Sequence, residues 1–250
     1  MGCSSSKPAT TGIVLPEQEL ALNNAELLHP FSNTPVKDLF RAFSNFGLDG
    51  SFQEPLFHAA CRVLELHTHK WSAICEAYLA SLRLASGEID LHSLLLTIVL
   101  LGTGDYPTKV RLATRVYASA ELSKLQVRTL LQDLVRAATQ VLPQLCKHEE
   151  FALQHYLGRL AAVQTAVIER LLATLVPGAS IEAEALVERF SKRPDLQKLW
   201  WAGGIRLLLI EEDIEQAVLS KEDQSCPTTT PRTSNPDILD ESSSLCTCRY

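Results

Sequence analysis

From Thr34 to about Leu219 apolar residues recur at intervals of three and four, and this pattern constrains the chain more than any other feature. Val36, Leu39, Phe40 and Phe43 form a first stripe, opened by Thr34 as N-cap with Pro35 at the first helical position. Further stripes run through Leu56, Phe57, Ala60 and Val63, through Leu91, Leu94, Leu95 and Ile98, and through Val127, Leu130, Leu131 and Leu134. The longest spans about Glu150 to Leu175 and ends at Pro177-Gly178. Two shorter helices, near Glu182 to Phe190 and Pro194 to Trp200, lead into LWWAGGIRLLLI and a closing acidic helix to about Leu219. Strand signals are isolated, so the expected fold class is all-α.

Composition allows this helical set a core, since 46% of the residues are apolar and 21% charged. The formal charge of −6 is dispersed and no basic block occurs, which removes the electrostatic footprint of a nucleic-acid binder. The longest stretch free of formal charge, LHSLLLTIVLLGTG between Asp90 and Asp105, has 14 residues. A spanning helix needs about 20, so this stretch reads as a buried helix and turn. No basic-then-apolar secretory leader opens the chain, and its seven cysteines lack CxxC spacing, so they read as cytosolic thiols.

The opening MGCSSSK matches the myristoylation pattern, with Gly2 exposed once Met1 is removed and Ser6 at the required position. One myristoyl chain holds a protein to a membrane only marginally, and Cys3 supplies a second signal as a palmitoylation site. Four regions are expected: an acylated tether over 1–33, a first helical region over 34–142, a second over 143–219, and a polar, proline-dotted disordered tail over 220–250.

Two local patterns repeat. In FSNFGLDGSFQEPLF a helix ends, Gly50 follows Asp49, and Phe52 stands two places on; in SLRLASGEIDLHSLL, Gly87, Glu88 and Ile89 repeat the arrangement. Further along, Leu122-Ser123 stands where a third unit would carry its loop hydrophobe and helix cap, and Ile181 takes the loop-hydrophobe position of a fourth. These units resemble EF-hands, in which a glycine makes the sharp turn and the following hydrophobic residue pairs with its twin in a short β-bridge. The resemblance covers about Pro35 to Trp201 and implies paired, EF-hand-like helix–loop–helix units plus a long inserted helix. Calcium binding needs about six to eight oxygens, whereas the first loop places Asn45, Gly47, Asp49 and Leu56 at ligand positions and the second Leu82, Leu84, Ser86 and Ser93. Calcium is therefore not expected as a cofactor, with Asn45 and Asp49 as weak metal candidates. The lipidated start and ligand-poor loops resemble the N-terminal half of myristoylated TLDc-domain proteins, without the TLDc domain, and more distantly neuronal calcium sensors.

What the resemblance implies is a non-enzymatic adaptor, its lipids at Gly2 and Cys3 holding it to the cytosolic face of the plasma membrane or an endomembrane such as the lysosome, where it recruits a protein partner. A calcium sensor with one weak site, or a soluble scaffold without acylation, are the alternatives. No GxGxxG, GxxxxGK[ST], GxSxG or HExxH motif occurs, and His67 and His69, two apart, point to different helix faces. Trp200, Trp201, Leu207 and Leu208 read either as core of the last pair or as anchors of a partner-binding groove, which the closing segment would fill or vacate.

Overall fold

The computed structural model describes residues 15–45, 50–66, 72–117, 121–146 and 150–224. The described chain is mostly helical, as expected. Helices α1 (Glu17–Leu28), α2 (Val36–Ser44), α3 (Glu54–Val63), α4 (Ser72–Leu82) and α5 (Leu91–Leu101) are followed by α6 (Tyr106–Arg115) and α7 (Lys124–Arg136). Helix α7 widens into a π-helical segment, Ala137–Val141, and tightens into a 3-10 turn, Leu142–Leu145. Then come α8 (Glu150–Leu175), α9 (Ala183–Lys192), a 3-10 segment Pro194–Trp200 and α10 (Ala202–Gln224). The long helix has the bounds its periodicity predicts.

Four short strands join the helical units in two pairs. β1 (Ser51–Phe52) runs antiparallel to β2 (Ile89–Asp90), with Phe52 opposite Ile89. β3 (Glu121–Ser123) runs antiparallel to β4 (Ser180–Glu182), with Leu122 opposite Ile181. Both are pairings of loop hydrophobes of the kind that the EF-hand resemblance implies. Each ladder ties the entry of one helix to that of another, so α3 with α5 and α7 with α9 start from a common point.

All helices contribute to one apolar cluster that runs without a break across the expected boundary at 142/143. Helix α5 is its axis: every residue from Leu94 to Leu101 is buried, against α2 on one side and α6 and α7 on others. Among the described residues no helix is long and apolar enough to cross a membrane.

Three boundary expectations change. The stretch expected to be tether contains α1 and a 3-10 turn, Pro30–Asn33, and both belong to the core: Leu22 and Phe31 are buried, and Phe31 meets Phe43 edge-on at 5.5 Å. Burying one such side chain contributes about 1.5–3 kcal/mol, which is why this segment folds with the body. At the other end α10 continues to Gln224, so 220–224 are helix; residues 225–250 lie outside the described residues. Thr34 does not cap α2. Its hydroxyl donates to the Pro30 carbonyl, Pro35 takes the cap position with extended backbone beside Thr103, and the Val36 N–H is satisfied by the Thr103 carbonyl at 2.8 Å.

Candidate functional site: the paired loops and the closing helix

In the first pair, Gly50 and Gly87 sit at φ +84° and +86°, in the left-handed region that glycine enters without penalty. The Gly50 carbonyl accepts from the Leu91 N–H at 3.0 Å, locking the first loop to the start of α5. The second loop closes on itself: Leu84 N–H donates to the Glu88 carbonyl at 2.8 Å and Gly87 N–H to the Leu84 carbonyl at 2.9 Å. Asn45 caps the end of α2, while Asp49 lies outside the described residues, as do Gly2, Cys3, His67 and His69.

Side chains of the protein itself fill the electrostatic role in this loop. The Arg83 guanidinium donates to Glu54 Oε2 at 2.6 Å and to the Gly87 carbonyl at 3.4 Å, so a cation stands beside the turn. The Glu88 carboxylate accepts from Ser51 Oγ at 2.9 Å, bridging the two loops. Ser93, at the position where a bidentate carboxylate would stand, is buried, with its hydroxyl against Asp90 and Arg136. The Asp90 carboxylate in turn accepts from His92 N–H and caps α5. Of the second-loop ligand positions, Leu82 and Leu84 carry no side-chain oxygen, so the donor chemistry is far from the oxygen-rich set that a hard cation takes.

The second pair is held by the same means. Ser123 and Gln126 form a reciprocal capping box at the start of α7, the arrangement expected of Ser123 as helix cap. Arg111 on α6 grips Glu184 on α9 with two bonds of 2.7 and 2.8 Å.

The closing helix settles how the apolar anchors sit. Trp200 is 2% exposed and edge-on to Phe190 at 5.0 Å; Leu208 is buried and Leu207 partly so, while Trp201 is half-buried. α10 packs on α8, α7 and the π-helical segment. The groove is therefore filled from within, and Trp200 and Leu208 are core rather than a vacant docking surface.

A buried ionic cluster fastens α10 there. Arg206, fully buried, holds Glu19 through Nε at 2.8 Å and a second guanidinium nitrogen at 3.1 Å, and reaches Glu26 at 2.7 Å. It also donates to the Ala138 carbonyl at 2.9 Å, within the widened π-helical turn. Tyr156 on α8 donates its hydroxyl to Glu19 at 2.8 Å, and Asn23 adds a bond at 3.0 Å. Burial, then the charge of Glu19, pushes the Tyr156 phenol far above its ordinary range. For Arg206 burial works downward, but the carboxylates of Glu26 and Glu19 overcome it and the net shift is upward. Gly203 permits this approach: a Cβ there would lie 2.3 Å from Asn23 Oδ1.

Lys109 is the second buried cation. Its ammonium donates to the Leu100 carbonyl at 3.3 Å and the Trp200 carbonyl at 2.9 Å, at the ends of α5 and the 3-10 segment, where helix dipoles favour positive charge. Burial lowers its pKa to about 8.

None of these buried charges was singled out from the sequence. The signal was there: Glu19, Leu22 and Glu26 share one helical face, and Arg206 is the lone charge in an apolar run. No family model, curated protein or solved structure matches the chain.

Proposed function

We propose that this protein is a non-enzymatic, lipid-anchored, EF-hand-like adaptor that brings a protein partner to the cytosolic face of a membrane and works without calcium. The observation that carries the reading is the first loop pair. Two positive-φ glycines and the Phe52–Ile89 pairing give the backbone of a paired-loop module, and Arg83, Glu54, Glu88 and Ser51 meet its electrostatic needs from within. Such a module is held in one shape by its own side chains, which suits a constitutive scaffold better than a sensor. The acyl signals at Gly2 and Cys3 supply the address. Because Trp200 and Leu208 are core, the partner docks on outer surface and leaves α10 in place.

Two comparisons test this. Tryptophan fluorescence of the full chain is expected to be unchanged by millimolar calcium; a saturable calcium-dependent change would replace the adaptor with a sensor. In cells, wild-type protein is expected to float with membranes and the Gly2→Ala variant to remain in the soluble fraction; a variant that still floats would remove the lipid from the account.

A further inference from the structure

Helix α10 carries its inner stripe past the edge of the body. Ile210 is 6% exposed, but four and eight residues further on Ile214 and Val218 are 46% and 51% exposed. α1 lies antiparallel to α10 along the preceding turns: Asn23 stands beside Gly203, Glu19 is bound by Arg206, and Pro16 and Gln18 share a cleft with Ile210 and Asp213. The chain thus enters α1 from the side of the molecule where Ile214 and Val218 protrude.

The residues that arrive there are TTGIVL, and Ile13-Val14-Leu15 is the one apolar run in the first sixteen residues. Pro16 is extended, with φ −57° and ψ 149°. An extended chain covers about 3.3 Å per residue, so Ile13 reaches about 10 Å beyond Pro16. Along α10, at about 1.5 Å per residue, Val218 lies about 8–12 Å beyond Asp213 and Ile210, a matching span. The cleft itself is about 200 Å³, and Ala152, Leu160 and Ile210 line it together with His155, Tyr156 and Arg159. That is below the roughly 300 Å³ at which small-molecule sites begin, but enough for an aliphatic side chain. The acids on this stretch of α10 are already engaged within the fold, Glu211 with Lys198, Glu212 with Arg170 and Asp213 with Arg159.

We propose that Gly12–Leu15 docks in extended form along Ile214 and Val218, with one of its aliphatic side chains in the cleft beside Pro16. The tether then leaves the body at the tip of α10, with only residues 2–11 between the lipid and the docked segment, and the bundle presents that end to the membrane. This orientation rests on the acylation proposed above; the docking does not, and its test uses unacylated protein.

In the full chain with methyl labelling, contacts are expected between the methyl groups of Ile13 or Val14 and those of Ile214 or Val218. Amide protection over 214–219 is expected to fall about tenfold in an Ile13→Asp/Val14→Asp variant while protection at Leu209 is unchanged. Absent methyl contacts, with protection indifferent to the substitutions, would overturn the proposal. Protection that grows with protein concentration would assign the stripe to a second copy, and protection appearing only with phosphatidylcholine vesicles would assign it to the lipid surface; either result also overturns it.

Discussion

Replacing Arg206 by methionine tests how the closing helix is held. The substitution keeps the length of the side chain but leaves Glu19, fully buried, and Glu26 without their shared cation, and it removes a donor from the Ala138 carbonyl. Breaking a buried pair by deleting one partner costs about 3–5 kcal/mol. That is a large share of the roughly 5–15 kcal/mol that stabilises a domain. Followed by tryptophan fluorescence in guanidinium, the midpoint is expected to drop by on the order of 1 M with little change in slope. A Glu19→Gln/Glu26→Gln/Arg206→Met triple variant is expected to recover much of the loss, since it removes all three charges together. A single variant that loses less than about 1 kcal/mol, the range of an exposed pair, would refute the reasoning; so would a triple variant as unstable as the single.

Other consequences follow from the same physical terms. Lys109 has a folded-state pKa lowered by burial from 10.5 to about 8, so the unfolded chain binds its proton more tightly and stability rises with pH between those values, by about 3 kcal/mol in all; equilibrium unfolding at pH 8 to 10 is expected to show this rise, and Lys109→Met to abolish it. Burial lowers His29 to about 3 from 6.5, so its contribution is present above pH 6.5 and is lost as pH falls toward 3. His29→Asn, which keeps an acceptor for the Phe31 N–H, is expected to flatten that acid limb in the same assay. Gly87→Ala is expected to cost about 1–2 kcal/mol through its positive φ alone, since no atom crowds a Cβ there. Gly158→Ala, in α8 and equally uncrowded, is expected to stabilise by about 0.5–1 kcal/mol, and thermal unfolding of the two variants should move in opposite directions.

The parts of the fold legible in the sequence are those with local causes. Phe52 opposite Ile89 and Leu122 opposite Ile181 are pairings that the resemblance to paired helix–loop–helix units implies, and α8 ends where Pro177 and Gly178 forbid continuation. Helix α1 was hidden for the opposite reason. Two acids on its inner face make it look like polar tether, and the arginine that compensates them lies 187 and 180 residues away. Thr34 misled because capping preference is weaker than the chance to pair Pro35 with Thr103, a contact no local pattern announces. Trp200, Trp201, Leu207 and Leu208 read in the sequence as core or as groove anchors, and Trp200 is core through a contact with Phe190 of α9 that no local pattern announces.

The adaptor reading is tested most directly by the intact mass of the protein expressed in eukaryotic cells, measured before and after hydroxylamine, which cleaves a thioester-linked palmitate and leaves an amide-linked myristate. The account predicts a chain lacking Met1 that carries both lipids, of which hydroxylamine removes only the one on Cys3. A chain of unmodified mass would contradict it, leaving the paired-loop bundle without a membrane address.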